Sequence, residues 1–220
     1  MSAQHQFATS ALTAGHNLNQ HGKTVAVPIY QTTAYRFDSS DHAAALFNLS
    51  EAGNIYTRLT NPTNAILEER LATLEGGIGA VVTASGTSAV ATTLQVLLKQ
   101  GDHIVASNSV YGGTYNLLAV TLPRLRITTT FVDPSELQTF EDAATETTRA
   151  AFLESLGNPK LAILDIEAIS SVAKRHQIPL IVDNTVPTPA LLNPIKFGAN
   201  IVIHSLTKYI NGNGTALGGI

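Results

Sequence analysis

Residues 201–208 read Ile201-Val202-Ile203-His204-Ser205-Leu206-Thr207-Lys208. Three branched apolar residues with no polar interruption are the pattern of a strand buried on both faces, the parallel kind. The run stops at His204 and then delivers two hydroxyls and an amine. A second run of the same kind, Leu180-Ile181-Val182, stops at Asp183. In open α/β sheets, ligands sit outside the carboxyl ends of the strands. Lys208, Asp183, Ser205 and Thr207 therefore all arrive where a ligand would bind.

Upstream the pattern alternates. Asn64 or Thr63 caps a helix through Leu74 that stops at Gly76-Gly77. Ala80 to Thr83 reads as a strand, and Ser85-Gly86-Thr87 turns into a helix from Ser88 to Lys99. Strands follow at 103–106, 127–132 and 148–153, the last ending at Glu154. Between them come a helix opened by Gly112-Gly113-Thr114, with Pro123 just beyond it, and a polar helix begun by Pro134 and Ser135. Asp165 starts a helix to His176, with Ile166, Ile169, Val172 and Ala173 at helical spacing. Strands alternating with helices predict an α/β fold with a mostly parallel sheet. Residues 1–50 are less regular. Ala3 to Ala14 is weakly helical, Lys23 to Tyr35 extended, and Ser39 or Ser40 caps a helix to Phe47.

A lysine able to form an imine, an aspartate able to hold a protonated ring nitrogen, and hydroxyls for a phosphate together suggest pyridoxal phosphate. Each residue also has a plainer reading. Asp183 fits a strand-end loop cap as well. Lys208 could be an exposed, solvated lysine, although its place just beyond a buried strand end argues against that. Ser85-Gly86-Thr87 alone is an ordinary strand–helix turn. Beside Ser205 and Thr207, a helix N-terminus with a glycine that lets a phosphate approach is the favoured reading. Tyr111 reads as a half-buried surface aromatic, Asn158 before Pro159 as a turn, and Tyr56 with Arg58 as part of a solvated loop. Gly76-Gly77-Ile78-Gly79 precedes a strand instead of following one, the wrong context for a dinucleotide fingerprint.

Six stretches in order carry a resemblance to a known family: Tyr56-Thr57-Arg58, Ser85-Gly86-Thr87, Tyr111-Gly112-Gly113-Thr114, Glu154-Ser155-Leu156-Gly157-Asn158-Pro159, Asp183-Asn184-Thr185 and His204-Ser205-Leu206-Thr207-Lys208-Tyr209. The chain resembles the Cys/Met-metabolism family of pyridoxal-phosphate enzymes along essentially its whole length. The resemblance implies a three-layer αβα large domain of the aspartate-aminotransferase type (fold type I), truncated, with an N-terminal arm over residues 1–50 and an incomplete cofactor-binding domain over 51–220. It makes Lys208 the imine-forming lysine and proton shuttle, and pairs Asp183 with the pyridine nitrogen. It gives the phosphate to Gly86, Thr87, Ser205 and Thr207. Tyr111 stacks on the cofactor and could move protons, and Asn158 bonds the phenolic oxygen. Tyr56 and Arg58 reach the neighbouring subunit's phosphate site, so the resemblance implies a homo-oligomer with shared active sites, a dimer at least and a tetramer by the family pattern.

Within the family, the stretches beginning at Glu154 and Asp183 look most like the O-acetylhomoserine sulfhydrylases. The implied reaction is γ-replacement on O-acetyl-L-homoserine with sulfide or a thiol, giving homocysteine. Cystathionine γ-synthase, cystathionine γ-lyase and methionine γ-lyase share these residues and are the alternatives in class. A non-catalytic fragment or interaction module is the alternative of another class. Resembling proteins usually carry histidine where this chain has Asn213. They also continue past Ile220 into a further domain, so the chain is expected to be an N-terminal fragment.

Bulk composition excludes other classes. The 220 residues are 44% hydrophobic and 13% charged, with a net charge of −3. Nothing in this suggests the clustered Lys/Arg of a nucleic-acid footprint. With no cysteine, disulfides and thiolate zinc sites are excluded. The seven histidines are scattered, so no metal site is expected. Met1 to Gln20 lacks a continuous apolar core, and no run approaches the ~18 apolar residues of a spanning helix. A soluble cytoplasmic protein with no membrane partner is the expectation.

Overall fold

The parallel sheet lies entirely in the second of two units. One unit is formed by the residues up to Leu74 with Ile78–Ala80, the other by Glu75–Gly77 with Val81–Ile220. The computed structural model describes residues 6–133 and 135–220.

In the first unit, α1 (Phe7–Thr13), α2 (Ser40–Phe47) and most of α3 (Pro62–Glu75) are joined by extended chain. The Ser39 side chain caps α2 by accepting from His42 N–H. The part of the expected first helix that begins at Ala3 lies outside the described residues. The cap of α3 is Asn61, not Asn64 or Thr63: its Oδ1 accepts from Thr63 N–H at 2.9 Å. The Thr63 hydroxyl is used instead to pin the extended segment, donating to Pro28 O and accepting from Tyr30 N–H. Leu46, Ile66 and Leu71 are buried.

The second unit runs α4 (Gly86–Leu97), β1 (His103–Ser107), α5 (Gly112–Asn116), a π-helical turn (Leu117–Thr121), α6 (Leu122–Arg124), β2 (Thr128–Val132), α7 (Leu137–Ala143), β3 (Thr148–Glu154), α8 (Ile166–Arg175), β4 (Leu180–Asp183), α9 (Thr188–Leu191), a 3₁₀ turn (Pro194–Phe197) and β5 (Ile201–Ile203). All five strands are parallel, in the order β2-β1-β3-β4-β5. Side chains alternate between the two faces with the strand period of two. Ile104, Ala106, Ala150, Phe152, Ile181 and Ile203 pack with Val90, Leu94, Leu118 and Leu122 on one face. Val105, Ala151, Leu153, Leu180 and Val182 pack with Phe140, Ile166, Ile169 and Val172 on the other. Helices therefore cover both faces, giving the expected αβα layering. Along β1 and most of β3 and β4 neither face meets water, so these strands are largely apolar, while the edge strand β2 exposes Thr128 and Thr130.

Three local expectations are corrected. Ala80–Thr83 forms no strand; Thr83 makes an isolated bridge to Gly219. Its amide and carbonyl both bond Gly219, and a strand needs a longer partner than that single bridge. Pro123 lies inside helical chain, because the π-turn before it breaks the i→i−4 ladder that its missing N–H would have interrupted. Pro134, expected to begin a helix, lies outside the described residues, and the helix starts at Leu137.

β1 and β3 are neighbours, but the chain leaves them toward opposite sides. After β1 it returns at β2, on one flank, over the face that holds Leu118 and Leu122. After β3 it returns at β4, on the other flank, over the face that holds Ile169. Such a switch point opens a crevice at the carboxyl ends of the strands.

Candidate functional site

Asp183 ends β4, in register with Glu154 of β3 on one side and Ile203 of β5 on the other. Its Oδ1 accepts two hydrogen bonds from Thr185, from the amide at 3.0 Å and from the hydroxyl at 2.6 Å. The same hydroxyl accepts from Ser205 N–H at 2.8 Å. One threonine thus ties the strand-end carboxylate to the turn that carries Ser205. Burial pushes the Asp183 carboxyl up from its ordinary range, while the Thr185 hydrogen bonds and the charge of His204 hold it back. A half-buried carboxylate shifted in this direction gains from a cationic partner.

Gly86 opens α4 against the same turn. A Cβ placed there would lie 2.6 Å from Ser205 Cβ and 2.9 Å from its Cα. Only glycine allows this approach. The Ser85 hydroxyl caps Ser88 N–H at 3.1 Å, and the amides of Gly86 and Thr87 stand in the first turn, where no intrahelical acceptor exists. Helix N-terminus, Ser205 hydroxyl and glycine cradle are thus brought together, a donor set that suits a phosphate.

Thr207 and Lys208 follow on the turn. The Thr207 hydroxyl pairs with the Gly218 backbone, donating to its carbonyl at 3.3 Å and accepting from its N–H at 3.2 Å. Lys208 is exposed and Ser205 only partly buried. The expectation of a shielded lysine is therefore corrected: Leu206 takes the buried place, and the turn swings Lys208 to the surface. Tyr111 leads into α5 and is 51% exposed. Its ring folds over Gly113, where a Cβ would collide with it. Asn158 is exposed on the loop after β3, whose turn is closed by Leu161 N–H to Gly157 O at 2.7 Å. Tyr56 and Arg58 belong to the first unit; both are exposed, and the guanidinium carbon lies 5.2 Å from the Tyr56 ring centre.

Four further residues matter that sequence reasoning gave no site role. Thr185 sat within a quoted motif. Glu154 is a strand-end carboxylate just as Asp183 is, so the same signal could have found it. Asn184 sat in the same stretch as Thr185, and only Glu75 gave none. Glu75 Oε1 bonds His204 Nε2 at 2.6 Å and accepts from Asn184 Nδ2 at 3.1 Å, while Oε2 accepts from Asn193 Nδ2 at 3.3 Å. Asn184 Oδ1 in turn accepts from the Ser155 hydroxyl at 2.8 Å. This buried network clamps the ends of β3, β4 and β5. Glu75→Leu leaves several buried donors unpaired and is expected to cost about 3–5 kcal/mol, checked by denaturant unfolding. A change below about 1 kcal/mol would show that the clamp is not needed.

An α/β sheet with a helix N-terminus, a half-buried carboxylate and a lysine-bearing turn at its carboxyl edge matches one class: the cofactor-binding fold of type I pyridoxal-phosphate enzymes. The sequence profile of the Cys/Met metabolism PLP-dependent enzymes matches residues 8–220, and the chain belongs to that family. It is 54% identical over 212 residues to the O-acetyl-L-homoserine sulfhydrylase of Leptospira meyeri, covering 96% of this chain and 48% of that protein. It is 47% identical over 213 residues to the L-methionine γ-lyase of Fusobacterium nucleatum subsp. polymorphum, covering 96% and 54%. The crystal structure of a candidate O-acetylhomoserine (thiol)-lyase from Campylobacter jejuni, which contains N′-pyridoxyl-lysine-5′-monophosphate, superposes with a TM-score of 0.95 at 46% identity, covering 98% of this chain and 53% of that one. The chain spans about half the length of the curated relatives it matches. Among the described residues, no helix is long and apolar enough to cross a membrane.

Proposed function

We propose that this chain carries the cofactor site of a pyridoxal-phosphate-dependent transferase that replaces the γ-substituent of O-acetyl-L-homoserine with sulfide or a thiol, giving homocysteine. The observation that carries this reading is the 54% identity to the Leptospira meyeri sulfhydrylase. The geometry supports it through the hydrogen-bonded chain from Asp183 through Thr185 to Ser205, closed by Gly86.

Each residue has one task in this reading. Gly86 and Thr87 offer backbone N–H groups to the phosphate, and Ser205 and Thr207 offer hydroxyls. Asp183 stands opposite the pyridine nitrogen, and Asn158 takes the phenolic oxygen. Tyr111 covers one face of the ring. Lys208 holds the cofactor covalently and then carries the proton taken from the substrate's α-carbon. Bound pyridoxal phosphate supplies the electron sink for that proton loss. We assign the enzyme to sulfur amino acid biosynthesis in the cytoplasm.

The test is to incubate the complete protein with O-acetylhomoserine and sulfide and assay homocysteine. A second reading, methionine γ-elimination, is favoured by the 47% identity to the Fusobacterium lyase. Turnover of L-methionine with no homocysteine formed would select it and reject the transferase.

Arg58 and Tyr56 are proposed to reach the partner subunit's phosphate site in a homo-oligomer. Arg58 suits phosphate through its planar donor fork. In the complete protein, Arg58→Ala and Lys208→Ala should each be nearly inactive alone. Mixed and reassorted, they should regain part of the activity, since some heterodimers carry one site with both wild-type residues. No recovery, with subunit exchange confirmed by mass, would contradict the shared site.

A further inference from the structure

The proposed reaction leaves one strand-end carboxyl group without a task. Glu154 ends β3 at the switch-point crevice, is 6% exposed, and pairs in register with Asp183. Its Oε1 accepts the backbone N–H of Tyr111 at 2.5 Å, across the gap between the ends of β3 and β1. The other backbone hydrogen bond of Tyr111 is the first of α5, in which its carbonyl accepts from Tyr115 N–H at 2.9 Å. Tyr111 precedes a helix of five residues, caps it with no side-chain bond, and leaves half its surface in solvent. The collision that any Cβ at Gly113 would make with the ring shows how close ring and backbone lie. Ring direction therefore depends on where the Tyr111 backbone is fixed.

We propose that Glu154 is a positioning residue for Tyr111, its Oε1 gripping the backbone from which the ring is presented beside Asp183. The inference rests on the assignment of Tyr111 and Asp183 to the cofactor. The charge state follows from the neighbours. At this end of β3, the titratable groups on adjoining elements are Asp183 on β4 and the Tyr111 phenol after β1. His204 and Lys208 lie past β5, on the far side of β4. Among these, no cation stands on a strand next to β3. Burial pushes Glu154 up to about 8, opposed by the Tyr111 N–H and reinforced by the charge of Asp183. Neutral Glu154 still accepts through its carbonyl oxygen, and it leaves the single negative charge to Asp183, as two adjacent carboxyl groups require.

The pH dependence has a definite sign. The folded carboxyl titrates near 8, above its ordinary 4.5. Its contribution is fully present below about 4.5 and is lost as pH rises through about 8. Glu154→Gln keeps a neutral acceptor, so its stability relative to wild type should grow with pH across that window and level off above it. Glu154→Met keeps the volume and removes the acceptor.

The test uses the complete protein. In its cofactor-free form, hydrogen exchange of the Tyr111 amide should quicken about ten-fold in the Met variant, the size of one lost hydrogen bond, and stay near wild type in the Gln variant. In the loaded enzyme, kcat should fall in the Met variant and be largely rescued by Gln. Exchange and stability need no turnover, so they stand or fall apart from the transferase assignment. Unchanged Tyr111 exchange in the Met variant overturns the grip on Tyr111. If that variant does not fold, wild type and the Gln variant decide: a Tyr111 amide that exchanges in both as fast as an unbonded one overturns the proposal.

Discussion

Lys208→Ala should lose the covalent cofactor linkage, and with it the visible absorbance band that borohydride removes, while the fold stays intact. The side chain is exposed on the turn beyond β5 and holds no core position. The turn is closed by backbone bonds, Lys208 N–H to Ser205 O and Gly212 N–H to Lys208 O, which alanine keeps. Loss of the proton-carrying amine alone should lower turnover on the order of 10²–10⁴-fold. Circular dichroism and unfolding should match wild type. A Lys208→Ala protein that keeps both band and activity would remove Lys208 from the proposed mechanism.

Asp183→Asn should weaken turnover by about 10²-fold or more, the scale of one preorganised charge interaction in a shielded site, with much smaller loss of cofactor retention. An amide oxygen can still accept from the Thr185 amide and hydroxyl, so the tie to Ser205 survives and the phosphate cradle keeps its shape. What disappears is the negative charge opposite the pyridine nitrogen. The loss should appear in kcat and in kcat/KM alike, as an interaction made in the transition state. Near-normal turnover would mean that the ring nitrogen has another partner.

Much of the fold was legible because parallel strands are buried on both faces. β1, β3, β4 and β5 read as apolar runs for that reason, and α8 reads from its stripe of Ile166, Ile169, Val172 and Ala173. Short-range chemistry was legible too: Ser39, Ser85 and Asp165 each cap the helix expected of them. What escaped was set by distant partners. Ala80–Thr83 has strand composition, but it forms an isolated bridge, Thr83 to Gly219, instead of a strand. Thr63 has capping chemistry, yet its hydroxyl bonds Pro28 and Tyr30, more than thirty residues away. Glu75 and His204 lie 129 residues apart, and no local pattern marks either for the other. At the site, strand ends announced Asp183 and the hydroxyl turn. The same rule marked Glu154, but a strand-end carboxylate alone does not say what it holds.

The most direct measurement is borohydride reduction of the complete protein loaded with pyridoxal phosphate, followed by peptide mapping. The expected result is a single pyridoxyl label on the peptide that contains Lys208. A label on Lys23, Lys99, Lys160, Lys174 or Lys196 in its place would contradict the assembly of the cofactor site at the carboxyl edge of β4 and β5.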